Sequence, residues 1–179
     1  TPTQAAQETD NLTAIIADTA MGWAGVALSE TGIRHATLFH RTREAAAGEL
    51  RAFGAVERAD PRTDEIVALL TSYAAGQGAS LDQYPVDLPA CSPLQRETWL
   101  ALREIPPGQT RSYGWLARRV GREQSPRAIG AFVGANPIPL WLPCHRVIAT
   151  DGTLHGFGGG LAMKQALLEL EGALPKRLL

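Results

Sequence analysis

Pro143-Cys144-His145-Arg146-Val147 places a lone cysteine between a proline and a histidine, in a stretch rich in glycine and proline. A thiol is a strong nucleophile only as its thiolate, and a neighbouring imidazole is a common means of lowering its pKa from about 8.5. Side chains at i and i+1 do not share a face in a helix or a strand, so Cys144 and His145 can cooperate only on an irregular, tightly held turn. Pro137, Pro139 and Pro143 upstream fix φ for such a turn, and Gly156, Gly158, Gly159 and Gly160 downstream permit close backbone approach. The alternative is an inert, buried structural cysteine. A third group could complete a relay: Glu171 follows the helical pattern Leu161 to Leu170, where the helix macrodipole opposes a carboxylate. A hydrogen bond to His145 would explain it, in the order nucleophile, base and base-orienting acid; a solvated glutamate is the other reading.

The elements that must hold this turn divide the chain of 179 residues into an N-terminal α+β unit over 1–78, a linker over 79–91 and a mainly helical unit over 92–179. Thr13 to Asp18, Trp23 to Ser29 and Ile33 to Phe39 read as strands of an antiparallel meander, followed by helices over Thr42 to Phe53 and Thr63 to Ala75. Nothing in this half looks catalytic, and His35 and His40 lack partners at metal-ligand spacing. The linker, with Pro85 and Pro89 and no helical period, reads as extended. Ser92-Pro93-Leu94-Gln95 is a capping box opening a helix to Arg103, with Trp99 and Leu102 inward. Ser112 caps a helix from Tyr113 to Val120, and Ser125-Pro126 opens another to Gly134. Two short helices across a turn suggest a helix-turn-helix, in which Arg127 leads toward a nucleic-acid groove.

Charge supports a polyanionic partner for one half only. Formal net charge is −1, yet Arg96, Arg103, Arg111, Arg118, Arg119, Arg122, Arg127 and Arg146 cluster in the second half, whereas Asp60, Asp64, Glu65, Asp82 and Asp87 lie in the first. A solvated arginine-rich helix face accounts for this equally well. Two cysteines, Cys91 and Cys144, are too few for a disulfide framework and point to a reducing cytoplasm. No apolar run approaches the ~20 residues of a membrane span, and no leader-like segment opens the sequence.

The segments Ile105-Pro106-Pro107-Gly108-Gln109-Thr110-Arg111-Ser112-Tyr113-Gly114, Arg127-Ala128-Ile129-Gly130, Asn136-Pro137, Pro143-Cys144-His145-Arg146-Val147 and Gly158-Gly159-Gly160-Leu161 together resemble the O6-alkylguanine-DNA alkyltransferases, over residues 92–172. The resemblance implies a ribonuclease-H-like N-terminal domain and a winged-helix-like C-terminal one. It implies direct-reversal repair, in which Cys144 irreversibly accepts an alkyl group from guanine O6, or thymine O4, in duplex DNA. In that scheme His145 deprotonates Cys144 through a water, Glu171 orients His145, Tyr113 rotates the nucleotide and binds the flipped base, and Asn136 braces the turn. Arg127 fills the vacated stack, Ser112, Ala128, Gly130 and Ala131 also meet the DNA, and the helix-turn-helix enters the minor groove. Val147, Trp141, Phe157, Gly158 and Gly159 form the substrate pocket, the carbonyls of Cys144 and Val147 reading the guanine edge. No metal and no cofactor is expected, and the protein is a monomer in solution, with association of neighbours on DNA left open.

Departures from the family pattern are Phe157 in place of the usual tyrosine and Leu94-Gln95 in place of Phe-Gln. Zinc-binding cysteines and histidines of some relatives are not evident. Two rivals use similar parts. A non-transferring lesion binder of the same class lacks the acceptor cysteine, and a cysteine hydrolase requires an oxyanion hole for which the sequence carries no signal.

Overall fold

The computed structural model describes residues 11–176. Strands β1 (Thr13–Thr19), β2 (Gly22–Leu28) and β3 (Ile33–Ala36) form the expected antiparallel meander. A two-residue strand absent from the sequence reading, β4 (Val56–Glu57), adds parallel to β1, giving the order β3-β2-β1-β4. Helices α1 (Arg43–Ala52) and α2 (Thr63–Ala74) cover the sheet. Alternation along β1 and β2 assigns its faces. Ala14 and Ala27 pack with Leu50 of α1, while Ile15, Ala17, Ala24, Val26 and Leu28 join Ile66 and Leu70 of α2 in the main core. Gly25 lies on the α1 face, where a Cβ would stand 2.5 Å from the Ile15 carbonyl oxygen and 2.9 Å from a Leu50 methyl.

β3 stops at Ala36 rather than Phe39, because its edge is used differently from there on. The Ala36 N–H donates to the Pro137 carbonyl at 3.2 Å, and the Thr37 hydroxyl accepts from Gly25 N–H at 3.0 Å, displacing a ladder bond. Pairing resumes only at His40, whose N–H and carbonyl both bond Trp23. The interruption ties the first half to the segment before Cys144. His35 and His40, the two histidines of this region, clasp the Glu49 carboxylate at 3.0 and 2.7 Å.

Segment 79–91 is irregular and partly interior. Leu81 and Asp82 are buried, and Val86 bridges to Ile33. Beyond it, α3 (Pro93–Ala101) ends two residues before Arg103, where a 3-10 turn over Leu102–Glu104 takes over. There follow β5 (Arg111–Ser112), α4 (Tyr113–Arg119), α5 (Pro126–Gly134), a 3-10 turn over Cys144–Arg146, β6 (Val147–Ile148) and α6 (Leu161–Leu170). β5 and β6 pair in parallel, Arg111 opposite Val147, which fixes Tyr113 beside the cysteine turn. Trp99 of α3 donates its indole N–H to the Phe132 carbonyl of α5 at 2.7 Å, holding α5 against the core. One hydrophobic cluster runs from Ile15 of β1 to Leu167 of α6, through both halves. Among the described residues no helix is long and apolar enough to cross a membrane.

The capping box is present: Ser92 Oγ accepts from Gln95 N–H at 3.2 Å and Gln95 Oε1 accepts from Ser92 N–H at 3.0 Å. Ser92→Ala is expected to cost about 1 kcal/mol of stability. A urea-unfolding midpoint equal to that of the parent would remove the cap as a determinant of α3.

Candidate active site

Asn136 organises the segment that delivers Cys144. Its amide donates to the Leu142 carbonyl at 2.8 Å while its side-chain oxygen accepts from Ile138 N–H at 3.0 Å, so one side chain closes the loop 138–142 from within. Leu140 in that loop has φ 71°, an uncommon and strained conformation for a residue with a Cβ. Cys144 N–H donates to Leu142 O at 2.8 Å, and Val147 N–H closes the turn on Cys144 O. The irregular turn demanded by adjacent Cys and His is thus a single 3-10 turn, with Cys144, His145 and Arg146 all buried.

Glu171 caps the C-terminal end of α6 with its side chain only 3% exposed. His145 Nε2 lies 2.8 Å from Glu171 Oε1, Arg146 donates through Nε and Nη2 at 2.9 Å each, and Tyr73 Oη donates at 2.8 Å. These donors offset the macrodipole and hold the carboxyl at about 2 against the desolvation that would raise it. An ionised Glu171 places the imidazole proton on Nε2, which leaves Nδ1 as the basic nitrogen, buried and without a hydrogen-bond partner among the described residues. Burial pushes the His145 pKa down despite Glu171, so the ring is neutral near pH 7. Burial likewise pushes the Cys144 thiol up, opposed by hydrogen bonds from the Asn136 side chain and the His145 N–H and by the charge of Lys164. The resting sulfur is therefore a thiol that needs a base.

Two hollows share the wall formed by Gly134 and Gly156-Phe157-Gly158, and the smaller one reaches this sulfur. A cavity of about 80 Å³ is lined by Cys144, Asn136, Val133, Pro139, Phe157 and Leu38. A wider cleft of about 310 Å³ is lined by Tyr113, Gly130, His155 and the same Gly156-Phe157-Gly158 wall. α5 runs beside the Tyr113 ring at Gly130, where an added Cβ would make only ordinary contact, 3.8 Å from Cδ1. Burial raises the Tyr113 pKa, keeping its hydroxyl protonated.

The expected site residues fall into three groups. Cys144, Asn136, Tyr113, Phe157 and Gly158 line these hollows, and His145 and Glu171 stand directly behind the sulfur. Arg127, Ala128 and Ala131 are exposed along α5, the arginine making no ion pair or hydrogen bond among the described residues, while Ser112 spends its hydroxyl accepting from Trp115 N–H at 3.0 Å. Gly159 supports the cavity from behind, where Leu38 packs, and Val147 is fully buried, offering its carbonyl. Trp141 is the exception: it is fully buried in the core, edge-on to Tyr84, and lines neither hollow. Its apolar bulk in an all-buried run outweighs its nearness in sequence to Cys144.

The arginine cluster is also less outward than its sequence suggests. Arg146 is 3% exposed, bonded to Glu171, Asp82 and the Ile105 carbonyl, and Arg103 spans the carbonyls of Trp141 and Tyr84. Arg119 pairs with Glu104. Of the remaining five, Arg111 is half-buried against Trp115, Arg96 is exposed on α3, and Arg118, Arg122 and Arg127 are exposed beside the α4–α5 turn without acidic partners among the described residues.

Sequence reasoning missed Lys164. Its amine, buried in α6, donates to the Val147 carbonyl at 2.6 Å and to the His155 carbonyl at 3.3 Å, and lies 5.9 Å from the Tyr113 ring centre. The available signals were its rarity in a chain that otherwise uses arginine and its spacing with Leu167, Leu168 and Glu171 on one helix face. Among the described residues no group of three or more His, Cys, Asp or Glu is placed to hold a metal ion.

A family model described as the 6-O-methylguanine DNA methyltransferase DNA-binding domain matches residues 93–173. The chain is 49% identical over 105 residues to the methylated-DNA--protein-cysteine methyltransferase of Salmonella typhimurium, a match covering 59% of this chain and 61% of that relative. The O6-methylguanine methyltransferase of Mycobacterium tuberculosis has a crystal structure similar to this one, with TM-score 0.72 and 34% identity over 90% of this chain and 93% of that one. A structure of Mycobacterium tuberculosis OGT in complex with DNA is similar at TM-score 0.71 and 34% identity, over 91% and 93% of the two chains.

The relay makes a pH prediction. Because the folded pKa of His145 lies below the ordinary 6.5, the unfolded chain binds that proton more readily, and folded stability declines as pH falls below 6.5. The stabilising contribution of ionised Glu171 is full above 4.5 and disappears as pH falls to about 2. Imidazole NMR should find His145 neutral, protonated on Nε2, as pH falls through 6.5. A ring titrating at or above that value would contradict the arrangement.

Proposed function

The chain belongs to the O6-methylguanine DNA methyltransferase family, and we propose that it is a methylated-DNA--[protein]-cysteine S-methyltransferase that repairs duplex DNA by one irreversible transfer to Cys144. The observation that carries this reading is a lone thiol lining a small apolar-walled cavity, backed by His145–Glu171 and sharing a wall with a cleft beside an exposed helix start. Neutral His145 takes the thiol proton at Nδ1 through a bridging water, and the thiolate attacks the alkyl carbon in line. The new S–C bond forms as the C–O6 bond breaks, and its electron pair leaves with the guanine. Protonated Tyr113 supplies a proton to the departing base and is reprotonated from the relay, so the thiol hydrogen ends on guanine. A thioether has no return path, which makes the protein a reagent consumed once.

Reaching the lesion requires extruding the nucleotide into the cleft, at a cost of a few kcal/mol of unstacking. Arg127, exposed just behind Pro126 on α5, suits the vacated space in the minor groove, with Ala128, Gly130 and Ala131 close to the backbone. Val147 O, though accepting from Lys164, keeps a second lone pair for the guanine edge. Phe157 supplies a stacking wall without a hydroxyl; O4-alkylthymine is accepted in the same cleft. The β3-β2-β1-β4 sheet with its flanking helices suits a ribonuclease-H-like domain over 1–78, and α4–α5 suits the helix-turn-helix of a winged-helix-like domain over 92–179. A monomer fits a reaction using one thiol, and a reducing cytoplasm keeps that thiol available. A hydrolase is disfavoured because the Cys144 N–H, a natural oxyanion donor, is already spent on Leu142 O.

Incubation with duplex carrying O6-methylguanine should add one methyl to Cys144 by intact mass and peptide mapping, and Cys144→Ala should abolish transfer while retaining lesion binding. Methylation at Cys91, or turnover beyond one equivalent, would overturn the assignment.

Arg127→Ala should slow duplex repair about tenfold, the effect of about 1.4 kcal/mol of the unstacking cost. Reaction with the free O6-alkylguanine base, which needs no flipping, should be nearly unchanged. Equal losses on both substrates would make Arg127 structural. A change of about 0.9 in the logarithmic salt slope of binding would make it a phosphate anchor instead.

A further inference from the structure

The cavity at Cys144 has one wall from the other half of the chain. Leu38 follows β3 and lines the cavity together with Val133, Pro139 and Phe157, which come from α5, the strained loop and the glycine-rich segment. Its Cδ1 sits so close to Gly159 that a Cβ there would stand 2.5 Å away, closer than real Cβ contacts. The Leu38 backbone is fixed in place. Around Leu38, Ala36 N–H is bonded to Pro137 O, Thr37 N–H to Gly25 O at 2.9 Å, and Phe39 is buried, so the residue is held from both sides by the sheet.

We propose that Leu38 determines the size of alkyl group that Cys144 accepts, a role that rests on the alkyl-transfer reading above. The cavity volume of about 80 Å³ accommodates a methyl or short alkyl group. It is about half the ~150 Å³ at which an apolar cavity in a protein core takes up benzene, a cavity that removal of a single leucine side chain suffices to open. Trimming Leu38 therefore brings this cavity to the size of a phenyl ring. Of the other apolar walls, Pro139 shapes the acceptor loop, Phe157 faces the base cleft as well and Val133 belongs to the buried core face of α5, so Leu38 is the wall that can be trimmed with least effect on the rest. One methylene more or less in an apolar pocket changes discrimination about 10- to 200-fold.

The test measures single-turnover transfer from duplexes carrying O6-methylguanine and O6-benzylguanine, and reads the benzyl-to-methyl rate ratio. Leu38→Ala should raise that ratio at least about tenfold over the parent. Leu38→Phe should lower it, and the volume-conserving Leu38→Met should leave the ratio within about twofold. A merely supporting residue would slow both substrates alike, so an unchanged ratio in both Leu38→Ala and Leu38→Phe overturns the proposal. Should Leu38→Ala fail to fold, Leu38→Val still opens the cavity by one carbon and its ratio must rise; a flat ratio there is equally fatal. A parent protein that transfers no alkyl group from either duplex would overturn the functional reading itself, a result distinguishable from transfer with an indifferent ratio.

Discussion

The Glu171 carboxylate, at the end of α6, collects donors from two distant parts of the chain: Tyr73 in α2, and His145 with Arg146 in the turn that carries Cys144. Arg146 extends the network with its remaining nitrogen, donating to Asp82 at 3.1 Å and Ile105 O at 2.7 Å. A buried carboxylate at the wrong end of a helix dipole is costly in isolation. With every partner in place it becomes a geometric lock, because removing one member of a buried ion pair strands the other at a cost of about 3–5 kcal/mol. The acceptor turn can occupy only the position in which His145 meets Glu171 behind Cys144. The orientation of the base follows from that lock, and so does its tautomer.

The same burial creates the problem that the relay solves. Removing Cys144 from water disfavours its thiolate, and neither the Asn136 amide nor the charge of Lys164 reverses the direction. Lys164 is itself pushed down by burial and spends its hydrogen bonds on the carbonyls of Val147 and His155. Its main effect is thus on backbone placement: it clamps β6 to the glycine-rich segment that walls the cavity. A thiol that stays protonated at rest is a weak nucleophile, so its activation rests with the His145 base. Under the proposed single transfer to Cys144, this divides protection at rest from reactivity on use.

Local signals were legible in the sequence and long-range ones were not. The capping box at Ser92, the Ser112 cap and the Ser125-Pro126 start place α3, α4 and α5 within a residue or two, because caps are read from adjacent positions. Strands β4, β5 and β6 are two residues each, too short to carry a period. The first half of the acceptor relay could be inferred from Cys144-His145, and Glu171 from its odd place at a helix end. Arg146 and Asp82 could not, since a solvated arginine and one buried among carboxylates are the same letter, and their meeting depends on a contact across 64 positions. Trp141 failed for the converse reason: aromatic bulk declares burial without saying in which compartment.

Dividing the chain at residues 79–91 separates two sets of secondary structure, yet the site does not respect the division. Tyr73 reaches Glu171, Asp82 reaches Arg146, Ala36 N–H reaches Pro137 and Leu38 reaches the cavity at Cys144. Every one of these contacts bears on the acceptor turn or the loop that precedes it, and none of them touches the exposed start of α5. The exposed start of α5 thus belongs to the helical half alone, while the sheet half contributes to the shape of the cavity at Cys144. A change in the sheet that shifts β3 would reach the cavity wall through Leu38, whose Cδ1 packs against Gly159. Under the alkyl-transfer proposal, such a shift changes the cavity at the thiol and leaves the exposed start of α5 where it is.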